Sequence, residues 1–244
     1  MPDRAAIVTG ASTGIGRAIA EMLGAEGHAL TLNSRRPQNL EPTVEALRAK
    51  GYEVEAVAGS VADEEVVQEV VRRHRERYGR LDVLVNNAGT GYGQPVGELT
   101  TKALDLQLGA NFRHIPLFYR ESLEMLQAAG REHRNALVIN TASISGKHGE
   151  AWLSVYSATK HAVVGFTEAM NKELGGQGIK SCALCPAFVD TPMTDFLEGK
   201  VSPDQMIKTS DIVEMARALL RLSPGCTVPE LIFEQTAFEI GQAV

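Results

Sequence analysis

Cysteine is scarce: Cys182, Cys185 and Cys226 are the only three in 244 residues. So small and odd a number gives no disulfide framework and fits a reducing compartment, so a cytoplasmic location is expected. Cys182 and Cys185 form a C-x-x-C, but no second pair or neighbouring histidine completes a tetrahedral zinc set. They read as packed thiols, and no metal site is expected. No stretch approaches the roughly 18 apolar residues of a membrane span. The opening Met-Pro-Asp-Arg runs straight into Ala5-Ala6-Ile7-Val8 without a signal-type apolar region. Positive charge is not in excess: 24 Lys and Arg stand against 30 Asp and Glu, a net charge of −6. That balance disfavours nucleic acid and anionic membrane surfaces as partners. Repeats, linkers and low-complexity segments are missing too. Residues 1–244 therefore read as a single domain, with a substrate-loop segment near 187–210.

What the chain does have is alternation. Short β-branched or apolar runs at 5–9, 29–33, 54–58, 83–86, 136–141, 180–184 and 230–234 predict strands. Helical patterns lie between them at 15–26, 43–50, 64–78, 102–129, 155–174 and 212–222. Strands alternating with helices imply an α/β class built of βαβ units, with a parallel sheet covered on both faces.

The first strand runs into Thr9-Gly10-Ala11-Ser12-Thr13-Gly14-Ile15-Gly16 and then a helix. Glycines at such a turn let the backbone approach a pyrophosphate, and the helix N-terminal amides face its charge. The second strand ends at Asn33-Ser34-Arg35-Arg36, where a dinucleotide site for NAD usually carries an acidic residue. A carboxylate there would repel a 2′-phosphate, whereas a guanidinium binds one, so NADP(H) is expected and NAD(H) disfavoured. Tyr156 and Lys160 stand four apart, one turn along one helix face. An ammonium near a phenol lowers its pKa and makes the pair a general acid and base. Ser143 lies just past an apolar strand, where open α/β sheets place ligand groups. Asn86-Asn87-Ala88-Gly89 ends another strand, and Asn111 falls within the long helical stretch.

Taken together and in order, Thr9-Gly10-x-x-x-Gly14-x-Gly16, Asn86-Asn87-Ala88-Gly89, Asn111, Ser143 and Tyr156-x-x-x-Lys160 resemble the short-chain dehydrogenase/reductase family over about residues 5–195. The resemblance implies a single Rossmann-type doubly wound parallel sheet of about seven strands flanked by helices. It implies a catalytic tetrad of Asn111, Ser143, Tyr156 and Lys160. Tyr156 would be the proton donor or acceptor and Ser143 would orient the carbonyl. Lys160 would hold the nicotinamide ribose and lower the tyrosine pKa, and Asn111 would hold a relay water. Gly10, Ser12, Thr13, Gly14, Ile15, Gly16, Ser34, Arg35, Asn87, Ala88, Gly89, Tyr156, Lys160, Pro186, Val189 and Thr191 would contact the cofactor, Asn87 and Gly89 on its adenosine side. A homodimer or homotetramer built on the two long helices is implied as well. The chain departs from the family pattern at Ala187, where glycine is usual, and at Ser60, which aligns with an adenine-contacting aspartate. Asp63 reads instead as the cap of the next helix.

The function expected is therefore NADP(H)-dependent interconversion of a carbonyl and an alcohol by hydride transfer. The alternative is an NADP(H)-binding redox sensor without catalysis, which has no chemical need for a positioned Tyr-Lys pair. The substrate is expected to be a small carbonyl or alcohol compound, apolar or amphipathic, between 90–96, 145–155 and 188–208. Those stretches carry Tyr92, Trp152, Phe188, Met193, Phe196 and Met206.

Overall fold

A computed structural model describes residues 2–236. Residue 1 and residues 237–244, the ends of the expected domain, lie outside the described residues. Seven strands form one all-parallel sheet: β1 (Ala5–Thr9), β2 (Ala29–Ser34), β3 (Val54–Ala58), β4 (Val83–Asn86), β5 (Ala136–Thr141), β6 (Ile179–Pro186) and β7 (Glu230–Phe233). Their order is β3-β2-β1-β4-β5-β6-β7. The helices are α1 (Gly14–Ala25), α2 (Pro37–Ala49), α3 (Glu64–Tyr78), α4 (Thr101–Leu108), α5 (His114–His133), α6 (Ser154–Leu174) and α7 (Thr209–Leu220).

Side chains alternate across each strand, and the two faces feed two cores. Ala6, Val8, Val83, Val85, Leu137 and Ile139 pack with Ile19 and Leu23 of α1, Leu40 and Val44 of α2 and Ile212 of α7. Ile7, Leu84, Ala136 and Val138 pack with Val67 and Val70 of α3, Phe118 of α5 and Val163 of α6. Burial on both faces is why these strands read as continuous apolar runs.

Three helical expectations change. The stretch expected as one helix over 102–129 is two, α4 and α5, joined by a widened π turn at Gly109–Arg113. Helix α2 starts six residues earlier than its apolar pattern shows. Pro37 occupies its first turn, where no amide is needed, and Pro42 lies inside rather than at the boundary. Helix α7 starts at Thr209, three residues early. Asp63 does occupy the cap position of α3, but its side chain makes no capping bond; two glutamates follow it in the first turn.

The strand order reverses beside β1: β2 lies on one side and β4 on the other. A crevice opens there at the strand C-terminal ends, as in other doubly wound sheets.

Candidate active site

The crevice is an open cleft of about 360 Å³. The β1–α1 turn forms its floor. Gly10 and Gly14 have φ of 64° and 53°, where a side chain would be strained. Space forbids one as well: a methyl on Gly10 would lie 2.9 Å from Asn87 Nδ2, and one on Gly14 3.1 Å from Thr191 Cγ2. Gly16 is buried beneath, where a methyl would run into the Gly10 carbonyl. Thr13 precedes α1 in extended conformation with no side-chain cap, so the first amides of α1 are left for an anion. Ser12, Thr13, Gly14 and Ile15 all line the cleft.

The turn is braced from β4. Thr9 Oγ1 accepts from the backbone amides of Asn87 and Ala88, each at 3.0 Å, and donates to the Val85 carbonyl at 3.3 Å. Asn87 Nδ2 donates to the carbonyls of Thr9 and Gly10, and its Oδ1 accepts from Thr141 Oγ1 at 3.1 Å. The Gly89 backbone passes over the Asn111 and Lys160 side chains. A methyl there would lie 3.2 Å from Asn111 Oδ1 and 3.6 Å from Lys160 Nζ. Gly89 therefore lines the cleft beside Asn111 and Lys160.

At the other end of the cleft, Ser34 is buried and donates to the Arg36 carbonyl at 3.4 Å. Arg35 and Arg36 are exposed at the rim, and neither forms an ion pair among the described residues. Asn39, Gly59, Ser60 and Val61 complete that end.

Lys160 is buried, with Nζ donating to the Thr141 carbonyl at 2.7 Å and lying 5.6 Å from the centre of the Tyr156 ring. Burial without a carboxylate partner pushes its pKa down to about 8. Burial pushes the Tyr156 phenol up, and a hydrogen bond with Ser143 opposes this only in part. The lowering of Tyr156 by Lys160 expected from the spacing is thus not realised in the protein alone. The ammonium is itself desolvated and committed to a carbonyl. Ser143 Oγ also accepts from the Ser145 amide at 3.2 Å.

Asn111 sits in the π turn, buried, with Oδ1 accepting from the Thr90 amide at 2.7 Å and Nδ2 donating to Thr159 Oγ1 at 3.3 Å. It stands behind the cleft wall. Widened turns of this kind recur at functional sites, where they re-aim one residue out of the helical register.

From β6, Pro186, Ala187, Val189 and Thr191 line the wall facing α1. Ala187 carries no positive φ, and its amide donates to the Phe233 carbonyl at 2.9 Å, so alanine fits here without strain. Of the expected site residues, only Gly16 and Asn111 do not line the cleft, and both pack against residues that do. Arg36, Asn39, Thr90, Leu106, Ala110, Thr141, Ala142 and Met193 line it in addition. Asn39 escaped notice because the start of α2 was hidden, and Leu106 and Ala110 because the α4–α5 break was.

Tyr92, Trp152, Met193 and Phe196 are exposed around the mouth. Met206 is not among them: it is buried with Leu197 and Val201 in a small core on which Phe188 packs. His148 is exposed, and His161 bonds its own helix through the Ser157 carbonyl. Among the described residues no group of acidic, histidine or cysteine side chains could hold a metal, and no helix is long and apolar enough to cross a membrane.

A doubly wound parallel sheet, a glycine turn at its switch point and a serine, tyrosine and lysine converging beside it define a nucleotide-dependent oxidoreductase. The short chain dehydrogenase family model matches residues 4–201, and the chain belongs to that family. It interconverts C=O and CH–OH groups. It is 41% identical over 192 residues to a Streptomyces virginiae protein named as a ketoacyl reductase of the monensin polyketide synthase, covering 78% of this chain and 72% of that one. It is 34% identical to levodione reductase of Leifsonia aquatica, covering 86% and 78%. Among solved structures, a variant of actinorhodin polyketide ketoreductase with NADPH superposes with a TM-score of 0.82 at 31% identity, covering 94% of each chain.

Proposed function

We propose that this protein is an NADP(H)-dependent carbonyl reductase, a single domain in which Tyr156, Ser143, Lys160 and Asn111 carry the chemistry. The observation that carries the cofactor reading is the pair Arg35 and Arg36, unpaired at the rim of the cleft with no carboxylate at the end of β2. The structural relative with NADPH supports it. The cleft fits such a group. Gly10 and Gly14 leave room for a pyrophosphate and the free amides of α1 face it. Asn87, Ala88 and Gly89 wall one side, Pro186, Val189 and Thr191 the other. Bound NADPH supplies the hydride for the carbonyl carbon.

The chain's own residues handle the proton. Ser143 donates a hydrogen bond to the substrate oxygen and fixes it against Tyr156. The raised pKa keeps the phenol protonated near neutral pH, the state a proton donor in reduction needs. Lys160, still charged below about 8, offsets the phenolate left behind. Asn111, held by Thr90 and Thr159, anchors the π turn against the tetrad. A water there would return a proton from solvent through Lys160. The two longest helices, α5 and α6, provide the faces for a homodimer or homotetramer, which sedimentation equilibrium would reveal.

Fluorescence titration with NADPH and NADH tests the cofactor reading. NADPH should bind at least about tenfold more tightly, about 1.4 kcal/mol. Equal dissociation constants would contradict it.

A further inference from the structure

Four large apolar side chains face solvent beside the catalytic end of the cleft: Tyr92, Trp152, Met193 and Phe196, exposed by 50%, 61%, 53% and 63%. They form one rim. Met193 and Phe196 stand three apart in the 3₁₀ turn Pro192–Leu197, where residues at that spacing share a face. Met193 also lines the cleft itself, as Tyr156 does. The loop after β4 is brought against both neighbours at two glycines. A methyl on Gly91 would lie 4.0 Å from Met193 Sδ, and one on Gly93 3.0 Å from Leu153 Cδ2 and 3.4 Å from the Trp152 carbonyl. Tyr92 stands between those glycines. The Gln94 amide donates to the Trp152 carbonyl at 2.7 Å, and Trp152 comes four residues before Tyr156. Trp152 is held at φ 62°, a strained setting for a bulky residue of the kind that clusters at ligand sites.

Charge is arranged the other way. The three stretches that frame this end, 90–96, 145–155 and 188–208, hold three lysines, five carboxylates and no arginine. Lys147 is held by Glu230 at 2.9 Å and Lys208 by Asp190 at 3.0 Å. Only Lys200 has no ion pair among the described residues, and Glu198 stands two positions from it. The cations of the cleft itself are Lys160, committed to the Thr141 carbonyl, and Arg35 and Arg36 at the opposite end. An anionic substrate would thus enter a net negative surround.

We infer that the substrate is an uncharged ketone with an apolar tail, its carbonyl at Tyr156 and its tail running out of the cleft across Met193, Phe196, Tyr92 and Trp152. The tail covers the solvent-facing sides of these residues, so it needs no cavity beyond the cleft. Apolar surface removed from water on both partners holds it there. The same surround selects against a ketone carried on an arm that bears carboxylates or phosphates. The inference rests on the carbonyl-reductase reading and names the substrate class of that site.

Trp152 is the only tryptophan of the chain, so its fluorescence reports on the rim directly. It is read on the NADP⁺-loaded protein, where no ketone is turned over. There 2-octanone should give a saturable change with a dissociation constant at least about tenfold below that of 2-butanone, about twofold for each extra half-covered methylene. The anion 7-oxooctanoate, the same chain ending in a carboxylate, should bind at least about tenfold more weakly than 2-octanone. In Phe196→Ser the octanone-to-butanone preference should fall by at least about threefold. Trp152→Gly suits the positive φ and removes the reporter, so there the same preference is read as a ratio of kcat/KM with NADPH, and it should fall likewise. Equal constants for the two ketones, a carboxylate bound as tightly as the neutral chain, or a preference unchanged in both variants would overturn the inference. A chain-length preference in binding with no NADPH oxidation by either ketone would sink the reductase reading and leave the rim standing.

Discussion

At the scale of the residue, the division of labour between Tyr156 and Lys160 differs from what their spacing alone implies. Two groups on one helix face are easily pictured as a phenol made acidic by an ammonium. Burial acts on both, however, raising the tyrosine and lowering the lysine to about 8. The pair is therefore set for donating a proton. Replacing Tyr156 by Phe should lower reductive turnover by at least about a hundredfold, the ordinary worth of a general acid, while the NADPH dissociation constant stays nearly unchanged. Reductive kcat/KM should decline as pH rises through about 8, because Lys160 then loses the charge that offsets the phenolate. A pH profile on Lys160→Met should lack that alkaline limb. A limb that persists in the variant would assign it to another group. The identities of these residues were legible because each falls at a strand end or on a helix face. Their ionisation was not, since burial is a property of the packed site.

At the scale of the element, the β1–α1 turn works only because β4 holds it. Thr9 meets two part-buried backbone amides and a carbonyl at once, so Thr9→Val leaves the Asn87 and Ala88 amides without this partner. A loss of about 1–3 kcal/mol follows, with a fall in Tm of roughly 2–4 °C per kcal/mol for a chain of this size. Thermal denaturation measures it, and an unchanged Tm would show that the bracing does not matter. Strands β1, β3, β4 and β5 were readable to the residue, because burial on both faces leaves short apolar runs with polar or glycine ends. Helix starts and breaks were less so. The apolar pattern of α2 starts only at Thr43 although the helix starts at Pro37, and no residue pattern announces the extra residue of the π turn, where Gly109 packs on Ala62 and Asn111 bonds Thr90 and Thr159. Those hidden boundaries are what concealed Asn39, Leu106 and Ala110 at the cleft.

Across the whole molecule, several titratable groups are buried away from the cleft. His74 is fully buried between Thr31 Oγ1 and the Arg80 carbonyl, each at 2.8 Å, and burial lowers it to about 4 from 6.5. The unfolded chain therefore binds the extra proton between those values, and stability is lost as pH falls from about 6.5 toward 4. At 1.36 kcal/mol per unit this amounts to about 3 kcal/mol from His74 alone. His114, lowered to about 3 by burial, adds in the same direction. So does Asp82: burial raises it, but Arg80, the Ala5 amide and His133 together bring it below its usual value. Urea midpoints should fall steadily from pH 7 to pH 4.5, and a flat series would contradict this. The glycine turn, the cleft at the switch point and the family together give one use of the molecule, NADP(H)-dependent interconversion of a carbonyl and an alcohol, which we propose runs toward reduction. Steady-state oxidation of NADPH and NADH against a panel of ketones, aldehydes and β-ketoacyl thioesters, run beside Tyr156→Phe, tests that most directly. Turnover that prefers NADPH and is lost in the variant is the predicted result. Tight NADPH binding with no turnover of any carbonyl, or full activity in Tyr156→Phe, would contradict it.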